Sequence, residues 1–168
     1  MKMNSNADNL MREINQEFPV IEMPKSDEIP HHRAGCVTCE HLAADLAVFR
    51  DKTIDAKLIR ELHQEMSHLS AKAWRWMLPF YLRYCLTSEA EYSRFETEFL
   101  IYSLAPTEEF EADTSGRLSL ISVDQLQVLL KFLSYLLSIE YWKSYCPTEL
   151  YRGIAFLMKT LEERSRKA

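Results

Sequence analysis

A chain of 168 residues, 47% of them hydrophobic, is long enough to bury one sizeable core without disulfides or metals as staples. Three glycines and six prolines are too few for an architecture of tight hairpins, so the expected class is all-α. A net charge of −5 argues against a nucleic-acid backbone as partner, and no apolar run approaches the roughly 20 residues of a bilayer-spanning helix.

The segment from Met1 to Asn9 is polar and lacks the basic-then-apolar layout of an export signal. The expectation is therefore a cytoplasmic protein with no membrane partner and with residues 1–5 disordered. A first helix is predicted over Asn6 to Glu17, where Leu10, Ile14 and Phe18 recur every four residues. Pro19, Pro24 and Pro30 then forbid regular helix, so residues 19–34 are expected to run extended. A second helix opens between Gly35 and Cys39, with Cys39, Leu42, Leu46 and Phe49 at helical spacing. A third starts near Ile54 and carries Leu58, Leu62 and Met66 on one stripe.

The fourth helix, from Ala71 to Leu86, is capped by Ser70 and is apolar nearly all round. Trp74, Met77, Leu78, Tyr81, Leu82 and Cys85 form its main face, which Trp76, Phe80 and Tyr84 extend sideways. Its single wet stripe holds Lys72, Arg75, Pro79 and Arg83, with a kink expected at Pro79. A helix of this composition belongs in the middle of a domain.

Ser88-Glu89-Ala90-Glu91 reads as a capping box for a fifth helix that buries Tyr92, Phe95, Phe99 and Tyr102 and ends before Pro106. An acidic loop is expected from Thr107 to about Leu120. A second capping box, Ser122 to Gln125, opens a helix through Leu126, Leu129, Leu130, Leu133 and Leu137, and Ile139 to Cys146 either continues it or forms a turn. Pro147 and Thr148 start a last helix with Leu150, Ile154, Leu157 and Leu161 inward. Cations from Arg164 to Lys167 suit its negative terminus. The sum is a single-domain bundle of six or seven helices over residues 1–168.

Three places invite chemistry. In His31-His32-Arg33-Ala34-Gly35-Cys36-Val37-Thr38-Cys39-Glu40-His41, the residues His32, Cys36 and Cys39 offer three corners of a zinc tetrahedron. A fourth ligand would have to come from His31, His41, Cys85 or Cys146. The alternative places Cys36 and Cys39 one turn apart on a buried face, as small hydrophobes. Thioredoxin-type redox chemistry is set aside because no βαβ pattern surrounds the motif. His63 and His68, with Glu61 and Glu65, are candidates for acid–base work, but they equally describe the wet side of a helix. No nucleophile elbow, metalloprotease motif or phosphate loop occurs, so no enzyme is expected.

The third place is electrostatic. Glu89, Glu91, Glu96, Glu98, Glu108, Glu109, Glu111 and Asp113 face only Arg94, which makes this stretch −7 and leaves +2 for the rest. Glu89, Glu96, Glu108, Glu109, Glu111 and Asp113, with Phe110 as an aromatic anchor, are expected to bind a protein partner of basic character. The competing description is a solvated face plus a loop with Phe110 tucked inward. The three tryptophans, eight tyrosines and eight phenylalanines fall mostly on inward stripes, so they are read as core rather than as a base-stacking platform.

Two segments carry a family resemblance. One is the His/Cys-rich stretch continuing through Cys39-Glu40-His41-Leu42 and Phe49-Arg50-Asp51-Lys52. The other runs Leu69-Ser70-Ala71-Lys72-Ala73-Trp74-Arg75-Trp76-Met77-Leu78-Pro79-Phe80-Tyr81-Leu82. Together they resemble a family of small uncharacterised helical bacterial proteins with a histidine before a cysteine pair and a Leu-Pro-x-Tyr helix. The chain departs from that pattern by placing Arg33 to Gly35 between His32 and Cys36. The resemblance implies a bacterial source and a helical fold and transfers no catalytic residue. By analogy with small acidic bacterial proteins, it points to an immunity protein neutralising a basic toxin domain through an acidic surface.

Overall fold

The structure, a computed structural model, describes residues 5–31, 36–50, 54–62 and 66–166. The expectations for residues 1–4, for His32, His63 and Glu65, and for Lys167 lie outside the described residues. Among the described residues the chain is all-α. Its ten helices are α1 (Ser5–Glu17), α2 (Val37–Ala47), α3 (Ala56–Leu62), α4 (Ala71–Cys85), α5 (Ser88–Ser93), α6 (Phe95–Ser103), α7 (Glu111–Arg117), α8 (Val123–Ser138), α9 (Glu140–Tyr145) and α10 (Pro147–Ser165). None of them is long and apolar enough to cross a membrane.

The chain divides into two compact units, and it passes between them within α6 and within α7. The first unit takes residues 1–19, 101–115 and 121–168 and is organised around α8, which packs against α1, α9 and α10. Helix α8 begins with the expected capping box. The Ser122 hydroxyl accepts from the Gln125 N–H at 3.1 Å, and the Gln125 side chain accepts from the Ser122 N–H at 3.0 Å. Gln125 also donates to the Glu17 carbonyl at 2.8 Å, which satisfies an open acceptor at the end of α1.

Leu126, Leu129 and Leu133 are buried as expected, together with Val128, Phe132 and Leu136, while Leu130 and Leu137 are only partly covered. Ile139, in an extended conformation, ends α8 and separates it from the one-and-a-half turns of α9. In α10, Pro147 occupies the first turn, where its missing N–H costs nothing. Arg164 lies in the last turn of α10, as expected, and donates to the Ile121 carbonyl from there.

The second unit, residues 20–100 and 116–120, is built on α4. Trp74, Trp76, Met77, Leu78, Tyr81, Leu82, Tyr84 and Cys85 are all buried, as an all-round apolar helix requires. Pro79 is buried too, although it lies in register with the wet stripe, and α4 continues through it to Cys85. Met66 and Leu69 lead into the helix, and Trp74 Nε1 donates to the Met66 carbonyl at 2.9 Å.

The proline-rich segment runs extended apart from one 3-10 turn at Ser26–Glu28. It is pinned to the start of α4 by Ser70, whose hydroxyl both accepts from the Ala73 N–H (3.2 Å) and donates to the Glu28 carbonyl (2.5 Å). An isolated antiparallel bridge, Pro30 to Leu69, adds His31 N–H to His68 O at 2.7 Å and Ser70 N–H to Ile29 O at 2.8 Å. These bonds, with those from Arg50 to the Pro24 carbonyl at 3.0 Å and the Ser26 hydroxyl at 3.2 Å, hold this segment in place.

The expected fifth helix is two helices, and this is the main correction to the local reading. Its cap is Thr87, one residue earlier than expected, whose hydroxyl accepts from the Ala90 N–H at 3.3 Å. Helix α5 ends at Arg94, which sits in the left-handed region at φ 65°. Helix α6 starts immediately after it. One left-handed residue resets the helical phase, so the face that α6 buries is not the continuation of the face of α5. Leu100 and Ile101 are buried, whereas Tyr92, Phe95 and Tyr102, expected inside, are exposed. The expected acidic loop is likewise largely helical, with a 3-10 turn at Glu108–Phe110 followed by α7.

Candidate functional site

The acidic residues divide between the two units, and each set has its own surroundings. In the second unit, the α5–α6 corner carries Glu89, Glu91, Glu96 and Glu98. Arg60 on α3 reaches two of them: its guanidinium hydrogen-bonds Glu89, and its Nε lies 3.4 Å from Glu96. Tyr84 and Glu89 both hold the Arg60 guanidinium more firmly in its charged form, Tyr84 more strongly.

Glu96, expected on the surface, is 2% exposed. Its carboxylate accepts from Ser93 Oγ at 2.6 Å, and its backbone carbonyl accepts from the Tyr81 hydroxyl at 2.8 Å. It is a structural anchor for the start of α6 and offers no surface charge. Burial of a carboxylate is tolerable here because a cation and a hydroxyl meet it.

The same corner exposes what the sequence reading placed inside. Tyr92 is 92% exposed and Phe95 64% exposed, one on each side of Arg94. The Arg94 side chain folds back to donate to the Glu91 carbonyl at 3.1 Å. Sequence reasoning missed these two aromatics because the αL residue that turns them out is an arginine. Only a glycine or asparagine there would have signalled a break.

In the first unit, the turn Glu108–Phe110 leaves Glu108 and Glu109 exposed, and Phe110 between Glu109 and Glu111 is 56% exposed. Phe110 is thus not tucked against the core. Glu111 forms an ion pair with Lys159 of α10 at 2.6 Å. The Lys159 ammonium is held in its charged form chiefly by Glu111, with Glu163 and Glu108 adding to the effect. Glu108 and Glu109 therefore carry the accessible negative charge of this turn, while that of Glu111 is largely spoken for.

The cysteine pair occupies the start of α2. Cys36 is the residue before the first helical position, in an extended conformation and half-buried, and Cys39 is buried one turn on. The Cys39 backbone N–H lowers the Cys36 thiol most, aided by the Cys39 thiol and the Thr38 N–H, while burial and Glu40 act in the opposite sense. Cys85, on α4, is the contrast, because full burial pushes its thiol up to about 12. His32 lies outside the described residues, and among those described no three His, Cys, Asp or Glu side chains converge as a metal site.

An open hollow of about 930 Å3 lies along the proline-rich segment, bordered by Asp27, Glu28, His31, Glu40 and Lys72. Lys72 pairs with Glu28 at 2.5 Å across it. Of the acid–base candidates, His68 is described, and its Nδ1 is 3.3 Å from Ser67 Oγ.

A family model for proteins of unknown function, DUF6714, matches residues 41–145. The chain belongs to this family. The matched stretch takes in α4, the Arg94 corner and the acidic turn, and it begins after Cys36 and Cys39. No curated protein and no solved structure matches the chain.

Proposed function

We propose that this DUF6714 chain is a non-enzymatic partner-binding protein, of the bacterial immunity type, that neutralises a basic toxin domain. The observation that carries this reading is Phe110, a large aromatic left more than half exposed between acidic neighbours on a short turn. Exposed aromatic surface is unfavourable in water and favourable in an interface, where aromatic anchors dominate the binding energy. The carboxylates of Glu108 and Glu109 steer a cationic partner and disfavour neutral or acidic ones. Tyr92 and Phe95, near Glu91 and Glu98, repeat the same chemistry in the other unit.

The test screens the proteins encoded beside this chain in its genome for a basic one that binds it, with affinity measured calorimetrically at low and high salt. Phe110→Ala is expected to weaken binding by about tenfold or more, at the scale of a hot-spot residue. The double reversal Glu108→Lys and Glu109→Lys should weaken binding at low salt and flatten its salt dependence. Affinity unchanged by all three substitutions would remove this surface from the interface.

A further inference from the structure

We propose that Cys36 and Cys39 form a redox-active dithiol that exchanges with disulfides and closes to an intrachain bond. This is independent of the partner-binding reading and concerns a different element. Three observations support it. The two cysteines are three residues apart at the start of an eleven-residue helix. Residues at that separation on a helix have Cα atoms about 5 Å apart, within the roughly 4.4 to 6.8 Å that a disulfide spans. The exposure of the two thiols is unequal: Cys36 is accessible at the helix entrance, and Cys39 is 1% exposed behind it.

That inequality is what exchange chemistry needs, one sulfur to meet an incoming disulfide and one withheld to resolve it. The βαβ framework whose absence set this reading aside is one scaffold for such a pair, whereas the chemistry requires only the helix entrance and two sulfurs in reach. Cys85 and Cys146 are both buried and neither has a cysteine near it in sequence.

The substrate class is a small or protein disulfide, RSSR′. The Cys36 thiolate attacks one sulfur, the S–S bond breaks, and R′S− leaves and takes up a proton. The Cys39 sulfur, giving up its proton, then attacks Cys36 in the mixed disulfide and expels RS−, which is protonated in turn. The chain loses two electrons and two protons, and the disulfide gains both as two thiols.

The experiment incubates the reduced full chain with glutathione disulfide and follows intact mass and peptide maps after acid quenching. The expected result is loss of two hydrogens with a Cys36–Cys39 link. In native protein Cys36 should alkylate at least about tenfold faster than Cys85. Cys39→Ala should accumulate a glutathione adduct at Cys36, and Cys36→Ala should form neither adduct nor link. Should the Cys39 variant fail to fold, the wild-type link and alkylation rates still decide. A stable glutathione adduct on wild-type Cys36 without ring closure overturns the proposal. So does equal alkylation of Cys36 and Cys85, or a full equivalent of zinc that protects both Cys36 and Cys39.

Discussion

Gly153 and Gly116 are both helical, and they answer to opposite demands. Gly153 is buried on α10, where an added Cβ would meet Leu133 Cδ1 at 2.8 Å and the Leu104 carbonyl oxygen at 3.1 Å. The propensity gain of about 1 kcal/mol from Gly to Ala in a helix is outweighed by that overlap, because a backbone carbonyl and a core leucine cannot both give way. Gly153→Ala is expected to lower the thermal midpoint, and Gly153→Val to lower it further. Gly116, on α7, has nothing within 4 Å of the same position. Gly116→Ala should therefore raise stability by up to about 1 kcal/mol, and denaturant titration of both variants checks the pair.

Glu28 ties pH to the proline-rich segment. The Lys72 ammonium, and after it the Lys25 N–H, holds the Glu28 carboxyl below its ordinary value of 4.5. A depressed carboxyl contributes stability that is complete above its unfolded value and disappears as pH falls through the lower, folded one. Thermal midpoints of wild type and Glu28→Gln should differ at pH 7 in favour of wild type. They should converge in acid, below the folded value. A gap that persists there would assign the effect to packing rather than charge.

At the scale of elements, Arg94 decides more than any capping box. A non-glycine residue at φ 65° costs roughly 1–2 kcal/mol, and Arg94 recovers part of this through its N–H bond to the Ala90 carbonyl at 2.8 Å. Arg94→Gly is expected to be neutral or stabilising by up to about 1 kcal/mol, and Arg94→Val destabilising by more, read from urea midpoints. A marked loss with glycine would show that the arginine side chain, through its bond to the Glu91 carbonyl, holds the corner. The periodicity of α1, α2, α3 and α8 was legible because each buries one stripe. Leu10 and Ile14 on α1 with Phe18 just after it, or Leu58 and Leu62 on α3, are inside as their spacing requires. The fifth predicted helix failed on that same criterion because Tyr92, Phe95, Phe99 and Tyr102 assume an unbroken phase.

At the scale of the whole molecule, charge counts separate from charge that is available. The −7 of residues 89–113 is real in composition, but Arg60 answers Glu89 and Glu96, and Lys159 answers Glu111. The consequence is a prediction that sorts the acidic residues by kind. Glu96→Lys should destabilise the fold by several kcal/mol, since it leaves a buried cation facing Arg60. Glu108→Lys and Glu109→Lys should leave the thermal midpoint nearly unchanged, as exposed substitutions do. Thermal scans of the three variants distinguish structural from surface carboxylates before any partner is tested.

The amino-acid sequence on its own determined the helical class, the core character of α4, the Ser122 capping box and the extended run through Pro19, Pro24 and Pro30. These follow from spacing, caps and missing donors, which act within a few residues. Only the tertiary structure decided that Glu96 is buried, that Tyr92 and Phe95 face water, and that Cys36 is accessible while Cys39 is not. Burial depends on neighbours distant in sequence, and the phase of a helix depends on a backbone angle at Arg94 that its side chain does not announce.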